Sequence, residues 1–424
     1  LFQAIVTHCP APQVDADGPL QLQVSQLDYS SYVGTIGIGR ITRGTIRRNM
    51  PVAIVDRDGN TRAERIGQVL GFLGLERVEV DEASAGDIVA FAGIEAPKIS
   101  DTICDPEHID PLPTLVVDEP TISMTFETNT SPFFGKEGKF VTSRQLRERL
   151  QREILHNVAL RVEDTDDPDK FKVYGRGELH LGVLIENMRR EGYELAVSRP
   201  QVVVRVVDGV RQEPWEQVTV DIEERSQGGI MQALGERGGQ LTNMGNDGRG
   251  RVRLEYLMPS RGLIGFQTEF RTLTSGTGLL YHVFDHYGPV VDKMLAKRSL
   301  GVLVSNGEGE ALAYSLFNLQ ERGRLFIGPG DAVYEGQIIG IHSRDNDLVV
   351  NPIRTKKLTN IRAAGKDDAI LLTPPIQLTL EYAVEFIAED ELVEVTPASI
   401  RIRKRFLKEQ ERKRAARSES ALTA

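Results

Sequence analysis

Residues 173–195, VYGRGELHLGVLIENMRREGYEL, place two glycines and an arginine directly ahead of a helical run. A Gly-x-Gly pair at a helix N-terminus can cradle a phosphate, or it can simply be the turn by which a strand becomes a helix. A dinucleotide fingerprint needs glycine at its sixth position, where this chain has His180. A P-loop needs Gly-Lys followed by Ser or Thr, but Lys136, Lys139 and Lys366 are followed by Glu137, Phe140 and Asp367. Gly175 and Gly177 therefore read as a strand-to-helix turn, with Glu178 well placed against the helix dipole. Leu181, Leu184 and Met188 then form one apolar face, Gly192 stops the helix, and a strand follows.

Working outward, Ile122, Met124 and Phe126 alternate as a strand. Thr142 and Gln145 offer a capping box for a helix carrying Leu146, Leu150 and Ile154. Val158, Leu160 and Val162 give a second strand, and the acidic turn 163–170 leads to a third at Phe171 and Val173. The order is β-α-β-β-α-β. It returns with strand QVTVDIEE (217–224), helix SQGGIMQALGER (226–237), two strands across NDG (246–248), a helix near 262–274 and strand LLYHVF (279–284). Two tandem split βαβ domains of ferredoxin type are expected. Ahead of them, short strands with glycine punctuation predict a closed β-barrel.

The expected fold is thus α+β and multidomain: a β-barrel over 1–97, a proline-rich linker over 98–119, and ferredoxin-like domains over 120–200 and 201–290. A strand-rich domain fills 291–424, with one helix near 376–388, a basic loop and a basic tail.

Several chemistries find little support. Asp164, Asp166, Asp167 and Asp169 lack the glycine and flanking helices of a calcium loop. His282 and His286 are expected on one face of a strand, with Asp285 on the other and no third ligand. Cys9 and Cys104 belong to no C-x-x-C pair, which argues against zinc and disulfides and for a reducing cytoplasm. No window is apolar enough to cross a membrane as a helix. The first residues lack both a Met and a signal pattern, and read as a cut inside a longer chain.

Charge supplies the positive signal. The net charge of -10 argues against nucleic acid, but its distribution argues for it. RTKKLTNIRAAGK (354–366) holds five basic residues and no acid, and RIRKRFLKEQERKRAAR (401–417) holds nine against Glu409 and Glu411. Lys and Arg without intervening acids suit phosphate contacts, which give affinity and salt dependence rather than sequence readout.

The residues also carry a resemblance. GRGELHL, NMRREGYELAVSRP, EPWEQVTVDI and MQALGERGGQL resemble the third and fifth domains of elongation factor G, and SQLDYSSYVGTIGIGRITRG resembles the second-domain barrel of translational GTPases. SRGLIGFQTEF, TSGTGLLYHVFDHY, GVLVSNGEGEALAYSLFNLQERG, VYEGQIIGIHSR and KKLTNIRA resemble the BipA/TypA family of ribosome-associated translational GTPases, across essentially the whole chain.

That family opens with a GTP-binding domain whose P-loop and N-K-x-D motif are not found in this sequence. The resemblance implies a portion lying after that domain: no enzyme and no cofactor in this chain, with GTP and Mg belonging to the parent. It further implies a cytoplasmic, monomeric partner of both ribosomal subunits and their RNA, with A-site tRNA within reach, serving translation regulation, stress or cold adaptation and large-subunit assembly. The expected RNA contacts are Arg344, Arg354, Lys356, Lys357, Arg362 and Lys366, joined on charge by Arg401, Arg403, Lys404 and Arg405. A regulatory small-ligand binder built on the ferredoxin-like domains is the rival reading.

Overall fold

The computed structural model describes residues 2–423 apart from 11–13, 31, 75, 116–119, 292–297, 299 and 356–370, and omits the side chains of 156 and 419–423. No described helix is long and apolar enough to cross a membrane. The chain divides into two compact units, Leu1–Glu119 with Glu148–Arg161, and Pro120–Arg147 with Val162–Ala424.

In the first unit an eight-stranded sheet runs, in spatial order, Thr61–Arg65, Pro51–Val55, Thr102–Cys104, Gln21–Ser30, Gly34–Arg43, Ile88–Ala92, Gln68–Leu73 and Glu76–Val80. Its inward side chains form one core that includes Leu22, Val24, Ile41, Ile54, Val69, Val89, Phe91 and Ile103. The ladder's end strands are Thr61–Arg65 and Glu76–Val80. One expectation changes here. Thr102–Cys104, expected in the linker, is an interior strand of the sheet, buried because it sits between two neighbours.

From residue 120 the chain forms β1 (Ile122–Thr128), α1 (Ser143–His156), β2 (Arg161–Asp164), β3 (Lys170–Gly175), α2 (Glu178–Glu191) and β4 (Leu195–Ser198), of which Glu148–Arg161 belong to the first unit. The Gln145 side chain accepts from Thr142 N–H at 3.1 Å and the Gln145 N–H reaches Thr142 Oγ1 at 3.4 Å, so the helix start rests on the predicted box. Gly175 leaves room for helix α2: a Cβ there would lie 2.7 Å from Leu181 Cδ2. Gly192 caps the helix at φ 100°, in the left-handed region, and Leu181, Leu184, Ile185 and Met188 are buried. β1 pairs antiparallel with both β3 and β4, giving the order β2-β3-β1-β4.

Next come β5 (Val210–Glu223), α3 (Gln227–Glu236), β6 (Gln240–Asn246), β7 (Arg251–Pro259), α4 (Gln267–Leu273) and β8 (Leu279–Pro289). β5 pairs with β7 and β8, and β7 with β6, so the spatial order again has the first strand between the third and fourth. Val218, Val220, Ile222, Leu254, Ile230, Leu234 and Phe270 fill the core between this sheet and its helices. The register skips Asp285, so His286 does not share the parity of His282 as expected. His282 Nδ1 lies 2.5 Å from Glu216 Oε2, whereas His286 Nδ1 lies 2.6 Å from Asp285 and its ring stacks on Trp215.

The remaining elements are β9 (Val302–Ser305), α5 (Ala313–Leu319), β10 (Gly323–Leu325), β11 (Gln337–His342), β12 (Leu348–Val350), α6 (Leu380–Phe386), β13 (Glu391–Val395), β14 (Ile400–Lys404) and a final helix Glu409–Thr423. Apart from a two-stranded ladder of Gly309–Glu310 with Ala332–Val333, they do not form a sheet of their own. β4 pairs antiparallel with β13, Leu195 against Val395 through Ser198 against Leu392. An eleven-stranded sheet therefore runs β2-β3-β1-β4-β13-β14-β11-β9-β12, with two short strands beside it. All five residues of β13 are buried, as expected of a strand covered on both sides.

Candidate nucleic-acid interface

The structure separates the ten expected RNA contacts into three groups. Lys356, Lys357, Arg362 and Lys366 lie outside the described residues. Arg344 and Arg354 are exposed. The chain around Arg344 is anchored by its backbone oxygen, which accepts from Gly301 N–H at 2.7 Å. Before Arg354, the Asn351 carboxamide accepts from Ile353 N–H at 3.0 Å, and Leu312 N–H donates to Pro352 O at 3.0 Å. Neither guanidinium has an ion pair among the described residues.

The third group sits on or beside β14, and most of it is corrected. Strand alternation turns Arg401 and Arg403 to one face and Lys404 to the other, and both faces are covered. Arg401 reaches Glu394 at 3.0 Å and Glu137 at 2.5 Å, with its guanidinium 5.0 Å above the Phe133 ring. Arg403 is 1% exposed, 3.0 Å from Thr130 Oγ1 and 3.8 Å from Glu127. Lys404 is 3% exposed and ringed by Asp347, Asp390 and Glu391 at 2.6, 2.7 and 2.9 Å. A charge taken out of water must be matched where it lies, and these three are matched by carboxylates or a hydroxyl inside the fold. They do not face RNA. Arg405 remains exposed, donating to Glu389 O at 2.9 Å.

These buried cations tie β13 and β14 to the rest of the unit. Glu394 Oε1 accepts from Asn129, Ser131 and Arg401, and its Oε2 accepts from Tyr334 at 2.5 Å. Glu194, on the turn into β4, takes Asn129 at 2.8 Å and the N–H groups of Gly135 and Gly138 at 3.1 Å each. Arg298 grips both oxygens of Glu391, at 2.7 and 2.8 Å. Burial pushes the Glu391 carboxyl up, but Arg298 and Lys404 outweigh it and hold the group below its ordinary value. At Glu127 the balance reverses: burial outweighs Arg403 and Lys170, and the carboxyl is raised.

Sequence reading also missed Arg322 and Arg324, which bracket Gly323 at the start of β10. Both are exposed, two residues apart on one side of a strand, and neither has an ion pair among the described residues. Their signal, ERGRLF at 321–326, is short and holds an acid, so a search for charge runs passes over it.

Three family models match the chain: elongation factor Tu domain 2 over 34–104, elongation factor G C-terminus over 210–298, and TypA/BipA C-terminal domain over 300–409. Proteins named large ribosomal subunit assembly factor BipA align throughout. The one from Escherichia coli is 64% identical over 99% of this chain and 69% of its own length. Those from Haemophilus influenzae and Buchnera aphidicola are 63% and 56% identical, over 99% and 100% of this chain and 68% and 70% of theirs.

That alignment overturns the expectation that the chain is no enzyme. At 64% identity over 99% of its residues it aligns with members of a translational GTPase family. GTP and Mg belong to the family. Among the described residues no cluster of three or more His, Cys, Asp or Glu side chains is placed to hold a metal. The chain belongs to the BipA/TypA family of ribosome-associated, elongation factor G-like translational GTPases.

Proposed function

We propose that this chain binds the ribosome and serves assembly of the large subunit, gripping ribosomal RNA phosphates through the cations of residues 344–366. One observation carries the reading: its 64% identity, over 99% of its length, to proteins named large ribosomal subunit assembly factor. The run 354–366, five cations and no acid, falls within the TypA/BipA C-terminal match and supplies the chemistry. Arg344, Arg354, Lys356, Lys357, Arg362, Lys366 and the exposed Arg405 are the contacts. Arg401, Arg403 and Lys404 act instead as internal counter-ions.

Finer parts of the reading go with it. The protein is cytoplasmic and monomeric, reaches both subunits and the acceptor end of A-site tRNA, and serves translation regulation under stress or cold. The two β-α-β-β-α-β units are read as ferredoxin-type, supported by their common strand order, and the first sheet as a barrel of the translation-factor type.

Co-sedimentation with purified large subunits across a salt series tests the claim. The comparison is a variant with Arg344, Arg354, Lys356, Lys357, Arg362 and Lys366 all changed to Gln. Each phosphate left without its cation should flatten the slope of log affinity against log salt by roughly 0.7–0.9. A variant that binds with wild-type slope and affinity would remove this segment from the interface.

A further inference from the structure

We propose that the final helix, Glu409–Thr423, lays a cationic stripe along the phosphate backbone of an RNA duplex. The inference rests on the RNA-contacting reading above and deepens it, adding a second contact and the form of RNA it takes. At 3.6 residues per turn, Lys413, Arg414 and Arg417 fall within an arc of about 100° on one side of the helix, with Gln410 between them. All four are exposed. Arg412 and Ala415, three residues apart on the opposite side, are half-buried.

The start of the helix is fixed to the fold. Glu409 N–H donates to Glu335 Oε1 at 3.3 Å, and a Cβ on Gly336 would come within 2.6 Å of Leu407 Cα. The Arg412 guanidinium turns back along the chain, donating to Phe406 O at 3.1 Å and to Leu407 O. With Arg412 held inward, the stripe on the other side is set toward solvent.

What the helix lacks narrows the partner. From Glu409 to Ala421 its only apolar residues are alanines. A helix that docks in a protein groove carries large apolar anchors at i, i+3, i+4 and i+7. One that lies on a membrane pairs its basic face with Trp, Phe or Leu. This helix has neither, so charge is what it offers. The chain as a whole is acidic, at -10, yet residues 405–417 hold six cations against Glu409 and Glu411. A polyanion approaching a net-acidic molecule is drawn to such a segment. Lys413 pairs with Glu409 at 2.5 Å, but both are exposed, and an exposed pair of this kind is weak enough for a phosphate to displace.

No ring on the helix can stack a base, so the stripe reads phosphates and not sequence. A duplex turns its bases inward and its phosphates outward. Two of the three cations are arginines, whose planar forks match phosphate oxygens. The exposed Arg405, four residues ahead of the helix, joins the stripe to the contacts proposed above.

The test is fluorescence anisotropy of the whole chain with a labelled RNA duplex of about sixteen base pairs across a salt series. Lys413→Gln with Arg414→Gln and Arg417→Gln keeps good helix formers in place, and circular dichroism should show unchanged helix content. This variant should flatten the slope of log affinity against log salt by about 0.7–0.9 for each cation removed, roughly 2–3 in all. Lys413→Arg with Arg414→Lys and Arg417→Lys should keep the wild-type slope, because counter-ion release follows charge. Changing three exposed arginines elsewhere, Arg47, Arg190 and Arg225, to Gln should also leave it unchanged. The proposal is overturned if the stripe variant keeps the wild-type slope, or if the three distant changes flatten it as much. It is equally overturned if single-stranded RNA or poly-glutamate binds as tightly as the duplex. Large-subunit binding that persists beside any of these results sinks this inference alone. Stripe-dependent duplex binding without large-subunit binding sinks the larger reading instead.

Discussion

Glu391 and Lys404 face each other across the β13–β14 ladder, their charged atoms 2.9 Å apart and nearly sealed from water. Arg298 closes the other side of the carboxylate. Removing one partner of a buried pair costs about 3–5 kcal/mol, because the survivor stays buried and unmatched. Glu391→Ala should lose about that much in denaturant unfolding. Arg190→Ala, which breaks an exposed pair with Glu186, should stay within about 0.5 kcal/mol. Equal losses for the two would show that the buried cluster does not hold this part of the sheet.

Tyr334 carries the next prediction. Its ring is fully buried, edge-on to Phe133 at 5.1 Å, and its hydroxyl donates to Glu394. Burial, then the Glu394 charge, push the phenol well above its ordinary value, so it remains a donor. Tyr334→Phe keeps the packing and removes only that bond, at a cost of about 1.5–3 kcal/mol in unfolding free energy. A neutral effect would mean that Asn129, Ser131 and Arg401 satisfy Glu394 by themselves.

Acidity offers a third. Glu178 opens α2 with one carboxylate oxygen buried and unpartnered. Burial first, then the neighbouring charge of Glu385, lift its carboxyl from 4.5 to about 7, against the pull of His282. His282 is itself raised, chiefly by its hydrogen bond to Glu216. An acid raised on folding binds its proton more tightly when folded, so stability falls as pH rises from 4.5 through about 7. The His282 contribution is complete below its unfolded value of 6.5 and is lost as pH climbs through its folded value, so the two act in the same direction. The thermal midpoint should drop between about pH 5 and pH 8, and Glu178→Gln should raise it at the upper end with little change at the lower. A variant that is less stable at both ends would show that the carboxylate form is the one the fold prefers.

Local patterns in the chain foretold local structure. The Thr142–Gln145 box, the close turn at Gly175 and the stop at Gly192 each depend on neighbours within a few residues, and each is where the pattern put it. Pairing across long separations was not legible. Nothing in LAVS at 195–198 names ELVEV at 391–395 as its partner, yet their ladder joins two regions into one sheet. The same gap explains Arg401, Arg403 and Lys404. A basic run reads as a solvated face until its carboxylates are seen: Glu127 and Glu137 arrive from far along the chain, and Asp390, Glu391 and Glu394 from the neighbouring strand and its lead-in. The helix Ala313–Leu319 was not legible either: the region reads as strand-rich with one helix near 376–388, and seven residues are too few to show a helical period.

On the proposed reading, residues 344–366 touch RNA of the large subunit. The most direct test is a cleaving iron chelate tethered to Arg354→Cys in a Cys9→Ser background, which removes the exposed native thiol while Cys104 stays buried. Bound to ribosomes, the probe should cut large-subunit RNA at a compact set of sites, and the cuts should fade as salt rises. Cuts confined to small-subunit RNA, or none while the protein remains bound, would contradict it.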